Sequence, residues 1–250
     1  MCHDNGDARP NGDYSSISEV DIVVPTDAVD LPVYMTEPAG ESKGQIIVIS
    51  DIWGANDFYH DLARRLAGAG YTAYLPNMFV RQGELPEQTH EAARARGGKL
   101  DYSQAMRDIS HIIDHQGDER GKFGVIGFCM GGTLVMHLAT MERRLQCGVI
   151  FYGFPANPNI TSFRPSEPLR ETKLVDMPML GFWGDQDHGV GMHNVEQYDN
   201  QLEMAGKEHE FIVYPGLPHA FLTFDPNGQF FDESNESWEK SLAYFSEKLA

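Results

Sequence analysis

The chain is short of cysteine, of basic residues and of long apolar runs, and each shortage removes a class of protein. Only three cysteines occur in 250 residues, Cys2, Cys129 and Cys147; an odd count without CxxC spacing argues against a disulfide framework or a structural zinc site. Lys and Arg number 19 against 37 Asp and Glu, a formal net charge of −18. Such a surface repels polyphosphate, so nucleic acid is not an expected partner. No apolar run approaches the roughly 18 residues of a membrane-spanning helix, and no membrane association is expected. The first residues, MCHDNGDARPNGDYSS, lack the apolar stretch of a signal peptide, so the expected compartment is the cytoplasm.

What the chain does contain is enough apolar material for an unaided core. Its 41% hydrophobic and 11% aromatic content comes at a length where roughly three quarters of the unfolded surface can be hidden. Residues 1–20 are expected to form a flexible polar N-terminus and residues 21–250 a single domain. Alternating runs near Asp21 to Val24 and Leu31 to Met35 read as edge strands, broken by Pro25 and Pro32. From Gln45 the pattern becomes a continuous apolar run, a glycine-bearing turn and an amphipathic segment, repeated. QIIVIS (45–50) precedes a helix expected over 57–69, with Phe58, Leu62, Leu66 and Ala69 on one face and Asn56 as its cap. YTAYL (71–75), KFGVIGF (122–128), QCGVIFY (146–152), MPMLGFW (177–183) and HEFIVY (209–214) read as further strands. Helices are expected over 101–115, 130–141, 190–205 and 234–249. Apolar runs without alternation belong to strands covered on both faces, and strands alternating with helices imply a mostly parallel, doubly wound α/β sheet. Ligands bind such a sheet beyond the carboxyl ends of its strands. The long connections 76–100 and 153–176 are expected to act as lids or binding loops.

The strongest chemical signal is KFGVIGFCMGG, residues 122–132: a buried strand, a glycine-flanked cysteine, then a helix. This is the pattern of a nucleophile elbow, in which a strained turn lifts the nucleophile above the sheet and small neighbours let strand and helix approach. The helix N-terminus beyond Cys129 supplies positive potential that favours a thiolate and an oxyanion. On such a fold the order is nucleophile, acid, histidine. GFWGDQDHGV offers Asp185 and Asp187 just past a strand, and YPGLPHAF offers His219 past the next. His219 would take the thiol proton, and one of the two carboxylates would fix its tautomer.

These residues carry a resemblance to the dienelactone hydrolase family of α/β-hydrolases, extending from about Val33 onward. SDIWGANDFYHDLARRLAGAGYTAYLPNMFVRQG resembles the family's segment around its second sheet strand, GFCMGG its cysteine elbow, GDQDHGV its acid loop and YPGLPHAF its histidine loop. The resemblance implies an α/β-hydrolase fold and hydrolysis of a small ester or lactone, of the carboxymethylenebutenolidase type, through a Cys thioester without metal or cofactor. It favours Asp187 over Asp185, and implies an oxyanion hole formed by the N–H groups of Ile52 and Met130. Asp51 stands where the family usually has a glutamate near the cysteine. Arg81 matches one of two arginines that hold a substrate carboxylate; at the second place stands Thr223, so half of that clamp is missing. With Trp53, these two are the expected substrate contacts.

Other patterns are weaker. HIIDH (111–115) has the one-turn spacing of a metal pair but lacks the Glu of HExxH, and DQDHG (185–189) places its glycine one position early for a calcium loop. The expected partner is therefore a small ester or lactone alone, with the oligomeric state left open. The alternatives are a thioesterase or carboxylesterase of the same fold, or a non-catalytic binding protein.

Overall fold

The most apolar runs of the chain become the strands that are buried end to end. A computed structural model describes residue 3 and residues 14–117 and 121–250. Its strands are β1 (Ser18–Pro25), β2 (Asp30–Glu37), β3 (Gln45–Ile49), β4 (Thr72–Pro76), β5 (Phe123–Phe128), β6 (Leu145–Phe151), β7 (Met179–Gly184) and β8 (His209–Tyr214). They form one eight-stranded sheet in the order β1-β2-β4-β3-β5-β6-β7-β8. From β4 to β8 every pairing is parallel, and β1 and β2 extend the sheet antiparallel. No residue of β3, β4, β5 or β7 is exposed, as expected for strands with helices over both faces.

The helices are α1 (Asp57–Gly68), α2 (His90–Gly97), α3 (Tyr102–Gln116), α4 (Met130–Leu138), α5 (Met192–Met204) and α6 (Phe231–Lys248). Asn56 caps α1 by accepting from the Tyr59 amide, and Asp101 caps α3 through Gln104. Helix α2 lies in the connection 76–100, for which no helix was expected. Its core contribution is small, Ala93 and Gly97 being its buried residues, so hydrophobic periodicity gave no sign of it.

Two expectations need correction at the amino end. Of these two strands β1 alone lies at an edge; β2 lies between β1 and β4. Pro32 pairs with Val23 of β1 and sits at the end of the β4 pairing, which covers Val33 to Thr36; there its carbonyl accepts from Asn77 N at 2.9 Å, so Pro32 serves as an acceptor at a strand start where it lacks a donor. Of the segment read as a flexible N-terminus, residues 1, 2 and 4–13, Cys2 among them, lie outside the described residues. His3 is buried and Ser18 to Val20 already belong to β1.

Parallel neighbours end on the same side of a sheet. The segments after β3, β5, β6, β7 and β8 therefore converge, and they carry Asp51, Cys129, Tyr152, Asp187 and His219. No helix among the described residues is long and apolar enough to cross a membrane.

Candidate active site

The turn from β5 into α4 is shaped by missing side chains. A Cβ on Gly127 would stand 2.2 Å from the Gly131 carbonyl oxygen, and one on Gly131 would stand 2.1 Å from that of Ile49. Strand and helix meet this closely only while both positions are glycine. The residue between them, Cys129, adopts φ 55° and ψ −114°, a conformation that costs a non-glycine residue about 1–3 kcal/mol. Its amide donates to the Phe151 carbonyl at 2.9 Å, and its side chain makes no capping bond to α4. Cys129 lines a cavity of about 930 Å³ together with Ile52, Met130, Asp187 and His219.

The carboxylate and the histidine come from adjacent strand ends. Asp187 is buried, and its Oδ1 accepts from the amides of Gly189 (3.1 Å) and Val190 (3.0 Å). Its Oδ2 lies 2.5 Å from His219 Nδ1, so one oxygen is fixed by backbone while the other orients the imidazole. Asp185 takes the opposite part. It is exposed, and its carboxylate accepts from Gly216 N (2.7 Å) and Gln186 Nε2 (2.8 Å), which hold it below the usual carboxylate range and tie the β7 loop to the β8 loop. Cys147, the other described cysteine, is buried in β6, and burial pushes its thiol up to about 12.

The segment after β3 is held from several sides. Asp51 is fully buried; its Oδ1 accepts from Trp53 N and its Oδ2 from His3 N, both at 2.8 Å. Arg96 donates to the carbonyls of Ile52 (3.2 Å) and Trp53 (2.8 Å) while its guanidinium lies over the Phe79 ring. The Asp51 carbonyl, which shares a peptide plane with the Ile52 N–H, accepts from Gly54 N at 3.2 Å, and this bond gives that N–H its direction. The N–H of Met130, at the start of α4, has no intrahelical acceptor by helix geometry. Gly97 packs on this segment too: a Cβ there would meet Ile52 Cγ2 at 3.0 Å.

The expected substrate contacts lie elsewhere. Arg81 is not among the residues that line the cavity; it makes a two-pronged ion pair with Asp108, at 2.6 and 2.9 Å. Asp108 is 1% exposed, and a buried carboxylate requires such a partner. Thr223 is likewise absent from the lining and braces its own loop, donating its amide to Ser234 Oγ and accepting from Asp225 N, both at 3.1 Å. Trp53 faces a neighbouring hollow with Phe79, Leu85 and Arg96. The cavity wall contains instead Tyr102, His137, Phe154, Arg94 and Arg164. Arg164 donates to Gly97 O at 2.7 Å and stacks 4.8 Å over Tyr102; His137 bonds Glu171 at 2.8 Å. Burial pushes the Tyr102 phenol up to about 12. Nothing local in the sequence singles these residues out, because what gathers them is loop packing.

Comparison with known proteins agrees with this architecture. The model of the dienelactone hydrolase family matches residues 31–249. A carboxymethylenebutenolidase from Rhodococcus opacus is 29% identical over 252 residues, covering 100% of this chain and 98% of its own length. The crystal structure of a Klebsiella pneumoniae protein assigned as a dienelactone hydrolase superposes with a TM-score of 0.85 at 25% identity, over 92% of this chain and 98% of that one. A dienelactone hydrolase-like promiscuous phosphotriesterase from metagenomic libraries shares the fold, with a TM-score of 0.73 at 17% identity over 94% of this chain and 100% of that one. On the breadth of the family match, this chain belongs to the dienelactone hydrolase family, and with it is an ester or lactone hydrolase of the α/β-hydrolase fold.

Proposed function

We propose that the protein opens a small lactone or cleaves a small ester through a thioester on Cys129, with His219 as base and acid and Asp187 as the group that orients it. The observation that carries this reading is the 2.5 Å contact between His219 Nδ1 and Asp187 Oδ2 on the same cavity as the strained Cys129. With Nδ1 engaged by the carboxylate, Nε2 is the nitrogen that exchanges protons with the thiol and the substrate.

The steps balance without a cofactor. His219 takes the Cys129 proton as sulfur bonds to the carbonyl carbon, and the carbonyl oxygen becomes an oxyanion facing the N–H groups of Ile52 and Met130. The ester C–O bond then breaks and its oxygen receives the proton from imidazolium, leaving a thioester; in a lactone the released hydroxyl or enol stays attached to the acyl group. Water, deprotonated by His219, attacks the thioester, and the thiol is restored with release of the acid. Asp51, with both oxygens held by backbone N–H groups, serves as a fixed carboxylate beside this machinery. The substrate is a small molecule, and the Rhodococcus opacus relative's name places a butenolide among the first lactones to try.

The test is hydrolysis of a panel of enol lactones, aliphatic lactones, aryl esters and thioesters, with intact-mass detection of the acyl-enzyme. Cys129→Ala and His219→Ala are each expected to lower kcat on the order of 10⁴-fold with folding intact. A variant of either kind that kept a tenth of wild-type turnover would overturn the assignment. An alkylating probe should mark Cys129 far faster than Cys147, whose raised pKa keeps it a thiol.

A further inference from the structure

The machinery rests on a residue from the far end of the chain. His3 is 1% exposed, although it precedes β1 in a segment otherwise rich in polar residues. Three of its polar groups have partners from three different segments. The backbone N–H donates to Asp51 Oδ2 at 2.8 Å, the carbonyl accepts from the Asn56 side chain at 2.6 Å, and Nε2 shares a 2.5 Å hydrogen bond with the Tyr152 hydroxyl. The ring lies flat on Phe58, with centroids 3.8 Å apart and planes 1° from parallel. A second ring, Phe128, meets it edge-on at 6.5 Å, and Phe128 immediately precedes Cys129.

Ordering a residue costs backbone entropy, and burying an imidazole is favourable only where its polar atoms are paired. Both conditions are met where three parts of the site come together. Asp51 leads into the Ile52 segment. Asn56 caps α1. Tyr152 follows β6 with φ 42°, a strained backbone for a non-glycine residue, and its ring stands 5.1 Å from that of His219, edge to face. Strain of this kind persists only where surrounding contacts over-determine the conformation, and the bond to His3 is one such contact.

We infer that His3 is a positioning residue for the reaction: it fixes the Asp51 carboxylate through its backbone and, through its bond to Tyr152, the packing face against which the His219 imidazole sits. This rests on the reading of Cys129, Asp187 and His219 as the reacting groups. Among the described residues, ionisable groups around His3 include Asp51 beyond β3, Tyr59 from α1 and Tyr152 beyond β6. Behind them stand Arg96, which feels the Asp51 charge, and His219.

The experiment uses the full chain and compares His3→Phe, which keeps the stack on Phe58, with Tyr152→Phe, which removes the same hydrogen bond from its other end. Each is expected to lower kcat about tenfold, the worth of one hydrogen bond, with KM changed less than twofold and the acid limb of the kcat/KM pH profile displaced. The double variant should be no worse than either single one, because both delete one interaction. His3→Gln, whose amide can still bond the hydroxyl, should recover part of the loss. Wild-type kcat and pH profile in His3→Phe would overturn the proposal, as would losses that multiply in the double variant. If His3→Phe fails to fold, Tyr152→Phe alone decides by the same kcat and pH criteria. Failure of the underlying reading looks different: the unaltered chain would then form no acyl adduct on Cys129.

Discussion

The two walls of the cavity are built under different constraints. One consists of residues that directly follow strands, with Cys129 after β5, Asp187 after β7 and His219 after β8. The other is made by connections, with Gly97 ending α2, Tyr102 opening α3 and Arg164 between β6 and β7. On the first wall the backbone dictates the sequence, since Gly127 and Gly131 face carbonyl oxygens that leave no space for a side chain. On the second, the contacts run from side chain to backbone or ring, as in Arg164 to Gly97 O and over Tyr102. The two connections also meet through a backbone bond from Tyr102 N to Phe163 O at 2.9 Å. Such contacts can be exchanged without disturbing the sheet. On the proposed reading, the reacting groups belong to strand ends and the choice of substrate to the connections.

The largest expected effect tests the strand-end wall, where two carboxylates lie two residues apart with opposite surroundings. Asp187→Asn removes the acceptor that holds the His219 tautomer and should lower kcat on the order of 10⁴-fold, as loss of the orienting carboxylate does in comparable triads. Asp185→Asn alters an exposed brace between loops and should leave kcat within about threefold. Steady-state kinetics on the two variants decides the matter, and the reverse order would transfer the orienting role to Asp185.

That wall was legible in the sequence because its constraints are local. A buried strand, a glycine pair around Cys129 and the order cysteine, acid, histidine all lie in short segments. Strand positions were legible for the same reason, since their apolar runs extend over several consecutive residues. The second wall was not. Helix α2 buries too few apolar residues to show a period. Arg164, Tyr102 and His137 come from separate elements, and no spacing connects them. His3 is the extreme case, a polar residue in a polar segment whose partners, Asp51, Asn56 and Tyr152, lie far along the chain. Arg81 was misplaced by a resemblance that identified the residue type at a loop position. The buried Asp108 on α3, which engages that arginine, is visible only once α3 is packed.

A smaller effect distinguishes the two arginines as structure and as recognition. Arg81→Met leaves the buried Asp108 carboxylate with Gln104 Nε2 at 3.1 Å as its remaining side-chain donor. Breaking such a pair from one side costs about 3 kcal/mol, to be read as a lowered midpoint in urea unfolding. KM for acidic and neutral substrates should be unchanged. Replacing both partners, Arg81→Met with Asp108→Leu, should return most of the stability, because no buried charge is then stranded. A selective rise in KM for acidic substrates with stability intact would restore Arg81 to the substrate site.

The smallest expected effect concerns Arg164. Its Nη2 is engaged by Gly97 O, and its guanidinium has further N–H donors that can serve a ligand in the cavity Arg164 lines. The guanidinium lies on the cavity wall beside the Tyr102 ring, in a protein whose net charge of −18 disfavours anions at long range. An anionic or strongly accepting group on the substrate therefore gains most here. Arg164→Met keeps much of the stack on Tyr102 and removes the donor. For a substrate carrying a carboxylate, KM should rise about tenfold, within the worth of a hydrogen bond to a charged group. For a neutral ester of similar size KM should hardly move, and kcat should stay near wild type for both, because the contact is made equally in ground and transition states. Arg94 lines the same cavity from an exposed position, where solvent screens its charge, so Arg94→Met should give a smaller effect in the same direction. Equal KM changes for charged and neutral substrates in Arg164→Met would mean that the residue holds the loop against α2 and does not read the ligand.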